Sequence, residues 1–183
     1  MGGGSLERLA RRCGGRVRRP DLLSCRHPGR RGHGEAPGRG SRALRTARET
    51  AVFIRRNDDF LLFHRAVDKY WHVVAGVVED GETFPGAAAR ELREETGLDA
   101  ALLDLGMPQR YRVPEEMRDE YAPGVGEVAI ENFAVAVPAG WEPILNEEHD
   151  EYRWVSLADA IALAHWPETA AVLAAIARPK ISS

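Results

Sequence analysis

A layered α/β fold preceded by a disordered N-terminal tail is what this sequence predicts, and three observations predict it. Composition changes abruptly near residue 48, and beyond it β-branched and aromatic runs alternate with Ala-rich helical segments. No internal repeat recurs. At 183 residues the chain is long enough for one domain with its own core.

Residues 1–48 hold 10 of the 18 glycines, 13 arginines, no lysine and three acids, a net charge of +10 that leaves −13 for residues 49–183. With almost no aromatic or β-branched side chains, the first segment cannot bury enough surface to offset the entropy of ordering. It is expected to be a disordered tail, and the domain is expected to span residues 49–183. A nucleic-acid-binding arm, an organelle transit peptide and inert sequence all fit such a tail. Arginine without lysine is what GC-rich codons give by default, so the inert reading is favoured. The acidic domain argues against nucleic acid as a partner and points to a cation between it and any phosphate. No apolar run reaches the roughly 18–20 residues that cross a bilayer, and no secretory signal opens the chain. A cytoplasmic protein without a membrane partner is expected. Cys13 and Cys25 both lie in the tail, so the domain has no thiol for a disulfide or a Cys-based zinc site. Oligomeric state stays open, a homodimer included.

The elements follow in order. Residues 51–54 and 60–63 read as two strands joined at Asn57, Asp58 and Asp59. Residues 71–78 form another extended run, ended by the turn Glu79-Asp80-Gly81. Pro85 opens a helix that runs to about Thr96, where Gly97 supplies the stop. Residues 128–137 and 152–155 read as strands, and residues 157–164 and 168–177 as helices.

The chemistry is concentrated in residues 76–98, GVVEDGETFPGAAARELREETGL. Glu91, Glu94 and Glu95 stand at i, i+3 and i+4, on about one third of the helix circumference. Like charges this close repel, and two of them lie in the last turn, where the helix dipole disfavours anions. As structure alone the cluster is destabilising. A bound Mg²⁺ or Mn²⁺ reverses the sign, because hard cations take carboxylate and phosphate oxygens. The turn from Gly76 to Gly81 lets the chain pass close to the helix, while Ala88 and Leu92 anchor its buried side.

This stretch resembles the Nudix box, G-x5-E-x7-R-E-U-x-E-E-x-G-U with U aliphatic. Gly76, Glu82, Arg90, Glu91, Leu92, Glu94, Glu95, Gly97 and Leu98 fill every defined position. The resemblance implies the Nudix fold, a mixed β-sheet between helices, and a hydrolase that cuts phosphoanhydride bonds with Mg²⁺ or Mn²⁺. It makes Glu91 and Glu95 metal ligands and Glu94 a further ligand or a polariser of water, with Glu91 and Glu94 the catalytic pair. Glu82 and Arg90 become a pair that holds the loop against the helix.

A second likeness, through residues 120–125 and Glu147-Glu148-His149 followed by Tyr152-Arg153-Trp154, is to bacterial dihydroneopterin triphosphate pyrophosphohydrolases, also known for acting on dATP. It implies a nucleoside-triphosphate-like small molecule as partner and Glu148 as a further metal ligand. His64-Arg65 stands where those enzymes have Arg-Arg, and Ala75 where they have Thr; both places are candidate substrate contacts. Arg65, Trp71 and Tyr121 are the candidate substrate-binding residues. His149, in an acidic stretch, is expected to be exposed. Other (deoxy)nucleotides, diadenosine polyphosphates and ADP-ribose are the rival substrates, the last because of Pro114. A nucleotide-sensing domain without turnover is the rival from another class, although it would be expected to lose box carboxylates.

Overall fold

The computed structural model of the protein describes residues 44–176. The tail expected over residues 1–48 lies almost wholly outside them. Arg45 and Thr46, on the tail side of the compositional boundary, make contacts with the domain: the Arg45 backbone N–H donates to Glu120 O at 2.8 Å, and Thr46 Oγ1 donates to Val78 O at 3.1 Å.

The chain opens with a hairpin, β1 (Arg48–Arg56) and β2 (Asp59–Arg65), paired antiparallel at Arg55–Phe60 and Arg56–Asp59. Asn57 turns it with a left-handed φ of 54°, a conformation asparagine tolerates better than most residues. The extended run that follows divides into β3 (Trp71–His72), which pairs with β2, and β4 (Val74–Val77), which pairs with β1. The break falls at Val73, whose backbone N–H is taken by His72 Nδ1 at 2.8 Å. After it come α1 (Phe84–Thr96), β5 (Leu103–Asp104), β6 (Gln109–Arg112), a 3-10 helix (Glu115–Glu120), β7 (Glu127–Ala136), β8 (His149–Ser156), α2 (Leu157–Leu163) and α3 (Pro167–Ile176).

Among the described residues, eight strands form one mixed sheet. β7 runs parallel to β1 and carries β5 and β6 antiparallel on its other edge, while β8 lies antiparallel to β2. The alternation of β1 divides the core in two. Val52 and Ile54 face one side with Leu61, Phe63, Val74 and Phe133, where Ala88 and Leu92 of α1 cover them. Ala51 and Phe53 face the other with Phe60 and Leu62, under Ala160 of α2 and Val172 and Leu173 of α3. The architecture is a mixed sheet between helices. No helix among the described residues is long and apolar enough to cross a membrane.

Candidate active site

The acid cluster takes its place from the way α1 is anchored. Thr83 caps the helix, its Oγ1 accepting from Gly86 N at 3.2 Å, and Pro85 sits in the first turn, where no N–H partner is needed. Gly97 ends it with φ 73°, its N–H on Arg93 O at 2.9 Å. Ala87, Ala88 and Leu92 are fully buried against the sheet. Their burial fixes the rotation of the helix and therefore the direction of every glutamate on it.

Arg90 organises the exposed side. Its Nε and Nη2 donate to the two oxygens of Glu82 at 3.0 and 3.1 Å, and Nη2 also reaches Val77 O at 2.9 Å. This clamp ties the loop before α1 to the helix and to the end of β4. The Arg90 hydrogen bonds, helped by the Glu79 backbone N–H, hold the Glu82 carboxyl below its ordinary value. The remaining nitrogen, Nη1, donates to Glu91 Oε1 at 2.8 Å and to Glu94 Oε2 at 3.2 Å.

The three glutamates do not point at one spot, as their spacing alone suggests. At about 100° per residue, positions i+3 and i+4 lie on opposite sides of i, and here that difference decides the burial. The Glu94 side chain is half exposed, Glu91 is largely covered, and Glu95 is buried against the sheet. Glu91 lies across Gly76 of β4, where a Cβ would overlap its carboxylate. Burial pushes the Glu91 carboxyl upward against the pull of Arg90, with Glu94 and Glu148 adding to the rise. Burial pushes Glu95 up further, reinforced by Glu91 and Glu148, while Arg65 and the Ala75 backbone N–H oppose it.

Glu148 approaches from the turn before β8, where Arg65 Nη1 donates to its Oε2 at 3.0 Å; Arg65 also bonds Asp68 through Nε at 3.2 Å. His149, expected to be exposed, is buried at 5 % exposure and packs on Phe63, ring centroids 5.1 Å apart. Burial and the Arg65 charge lower its pKa to about 4, against Glu148 and Asp150. Its Nε2 stands 3.9 Å from Glu95 Oε2.

Of the three candidate substrate contacts, only Arg65 stands beside the carboxylates. Trp71 pairs with His64 and packs on the opposite face of the sheet, its ring 4.4 Å from the Arg153 guanidinium. Tyr121 is 3 % exposed, its hydroxyl bonded to Tyr111 at 2.6 Å and to Glu49 at 3.2 Å, so no ring face is open for stacking. Ala75 lies on β4 next to Gly76, while His64 is drawn to Asp150 at 2.6 Å.

The donors fit a divalent cation. Glu95 Oε2 is a buried carboxylate oxygen with no hydrogen-bond partner, Gly76 leaves a cradle that the Glu91 carboxylate enters, and the group offers hard oxygens alone. Among the described residues no three His, Cys, Asp or Glu side chains stand together at metal-ligand spacing, since Glu91 and Glu94 are drawn to Arg90 and Glu148 to Arg65.

A glycine cradle, an Arg–Glu clamp and clustered helix acids on a mixed sheet define the class of the protein as a Nudix hydrolase. The chain belongs to the NUDIX domain family, whose model matches residues 45–176. It is a pyrophosphohydrolase of that family, acting on phosphoanhydrides, and Nudix hydrolases generally use a divalent metal. The dihydroneopterin triphosphate diphosphatase of Escherichia coli K12 is 33% identical over 118 residues, 61% of this chain and 78% of that protein. The structure of the E. coli dihydroneopterin triphosphate pyrophosphohydrolase superposes with a TM-score of 0.67 at 28% identity, covering 72% of this chain and 95% of the other. The asymmetrical bis(5'-nucleosyl)-tetraphosphatase of Mus musculus is 30% identical over 105 residues, 57% of this chain and 67% of that protein.

Proposed function

We propose that the protein hydrolyses a nucleoside-triphosphate-like substrate to the monophosphate and pyrophosphate, with Mg²⁺ or Mn²⁺ held by Glu91, Glu94, Glu95 and Glu148. Dihydroneopterin triphosphate is the best candidate substrate, and the cytoplasm the corresponding compartment. The observation that carries the reading is Glu91 wedged over Gly76 between Arg90 and the buried Glu95. Two carboxyls whose ionisation burial disfavours sit together over the sheet, an arrangement a divalent cation stabilises.

When bound, the cation supplies charge neutralisation at the phosphates and makes water more acidic. The chain's own residues supply the rest. Arg90 and Glu82 hold the loop so that Glu91 stays over Gly76, and Arg65, at the Glu148 end, is placed to meet a phosphate oxygen through its guanidinium fork. Glu94, the most exposed of the three helix acids, is the one able to orient or deprotonate a water from the solvent side.

A panel of purified substrates with product identification tests this: dihydroneopterin triphosphate, dATP, diadenosine tetraphosphate and ADP-ribose, each with Mg²⁺ and Mn²⁺. Release of pyrophosphate, fastest from dihydroneopterin triphosphate, is the expected result. Preferred cleavage of the dinucleoside tetraphosphate would instead favour the reading that the likeness to the mouse enzyme supports.

A further inference from the structure

The buried side of the acid cluster contains two polar atoms that the chain itself leaves without partners. Glu95 Oε2 and His149 Nδ1 are both shut from solvent and make no hydrogen bond, in side chains of residues only 2 % and 5 % exposed. Buried polar groups are nearly always satisfied, so each exception asks for a reason. The two side chains also face one another. His149 Nε2 lies 3.9 Å from Glu95 Oε2, about 1 Å beyond the reach of a charge-assisted hydrogen bond.

The imidazole is aimed there by the backbone. β8 pairs with β2 residue for residue from Ser156 back to Glu151, and then an irregularity between His64 and Arg65 makes His149 the partner of Arg65. A bulge of this kind re-aims a side chain. It places the ring inside, against Phe63 at 5.1 Å, and sends Asp150 out to His64 and Lys69. Glu95 is equally fixed, one residue before a buried threonine in the last turn of α1. A closure of about 1 Å brings Nε2 within hydrogen-bond distance of the carboxylate.

We propose that His149 is a positioning residue that donates from Nε2 to Glu95 Oε2 and fixes the rotation of that carboxylate, whose oxygens each keep a lone pair for the cation. The inference rests on the reading of Glu95 as a metal ligand. Outer partners of this kind orient metal ligands and tune their affinity.

The test compares Mn²⁺ binding to the full-length protein, read from the electron paramagnetic resonance of free Mn²⁺, with the melting temperature of the metal-free protein. His149→Phe keeps an aromatic ring against Phe63 and removes both nitrogens; His149→Gln loses the ring and keeps an N–H donor of similar reach. A positioning role predicts that Phe weakens Mn²⁺ binding about 10- to 100-fold without lowering the melting temperature, while Gln stays within about threefold of the native protein. A packing role predicts the reverse order, with Phe harmless and Gln damaging, and that order overturns the proposal. So does native Mn²⁺ affinity in the Phe variant, or a lowered melting temperature in both variants with binding lost alike. If the native protein itself takes up no Mn²⁺, the metal reading falls and the inference falls with it. Native binding that the Phe substitution leaves intact sinks the inference alone.

Discussion

The Glu91 carboxylate fills the space that a side chain at Gly76 would need, so that a Cβ built on Gly76 overlaps Glu91 Cδ and Oε1. Gly76 is held in β4 by its pairing with Thr50 of β1, and α1 is held by the buried Ala88 and Leu92. Neither backbone can retreat cheaply. Gly76→Ala is therefore expected to expel the Glu91 carboxylate and lower stability by about 1–3 kcal/mol through overpacking. Turnover should fall on the order of 100-fold, because a displacement of about 1 Å at a reacting group has that effect. Melting curves and kcat on the best substrate check both parts.

Glu91→Gln and Glu95→Gln nearly preserve volume and remove charge. If both residues hold the cation, each variant should lose at least about 100-fold in metal-dependent turnover, since outer partners alone are worth 10- to 100-fold. Stability should move the other way. Burial raises both carboxyls, and the Glu91 and Glu148 charges raise Glu95 further, so in EDTA the Glu95→Gln protein is expected to melt at or above the native temperature. Near-native turnover in both variants would sink the proposed roles.

Glu82→Gln should behave differently, because Glu82 is tied to Arg90 rather than to the cation. Arg90 depresses its carboxyl in the folded protein. A depressed folded pKa contributes stability above the ordinary carboxylate value, lost as pH falls through the folded one. The variant is expected to melt lower than native at pH 7, and the gap should close in acid. Turnover should drop about 10-fold as Arg90 loses its anchor. Melting temperatures from pH 7 down to the acid limit of folding test the sign.

Most of this was legible in the sequence. The hairpin, α1 with its Pro85 start and Gly97 stop, β7, β8 and the two closing helices were readable because turn residues bracket strongly periodic runs. β5 and β6 were not: Leu103–Asp104 is two exposed residues, and Gln109–Arg112 is short and mostly polar, paired only because β7 offers its edge. The acids of the site were visible as a motif, but their directions were not. Spacing put Glu94 and Glu95 on one face, whereas contact with the sheet separates them into an exposed and a buried carboxylate. His149 escaped for a similar reason. Strict alternation from Trp154 and Tyr152 points Asp150 inward and His149 outward, and the irregular register with β2 inverts that order. Tyr121 and Trp71 are candidates for substrate contact in the sequence because an aromatic side chain carries no mark there of which face it covers.

A cation that binds only the folded cluster must raise stability by mass action. At a free metal concentration 100 times its dissociation constant the gain is ~2.7 kcal/mol. Millimolar Mg²⁺ or Mn²⁺ should raise the melting temperature, EDTA should reverse it, and Glu91→Gln should abolish the shift. Thermal scans of the native and variant proteins with and without metal measure this directly, and no shift with either cation would count against the metal assignment.

Glu148 separates two readings of the turn before β8. Its side chain is half exposed and paired with Arg65 at 3.0 Å, the geometry of an ordinary surface ion pair, worth about 0–1 kcal/mol. Yet its charge reaches inward far enough to raise both Glu91 and Glu95, which a remote surface acid would not do. If Glu148 is a ligand, the cation must draw it from Arg65, and the freed guanidinium becomes available to the substrate's phosphates. Glu148→Gln should then weaken Mn²⁺ binding and cut kcat together, by about 10-fold or more. A separate Arg65→Met substitution should raise KM while leaving Mn²⁺ affinity unchanged or tighter, because the competing cation is gone. If Glu148 is only the partner of Arg65, the Gln variant should bind Mn²⁺ normally, and at most KM should change. Metal titrations and full kinetics on both variants decide between them. Normal Mn²⁺ affinity in Glu148→Gln would remove it from the ligand set while leaving the roles of Glu91 and Glu95 intact.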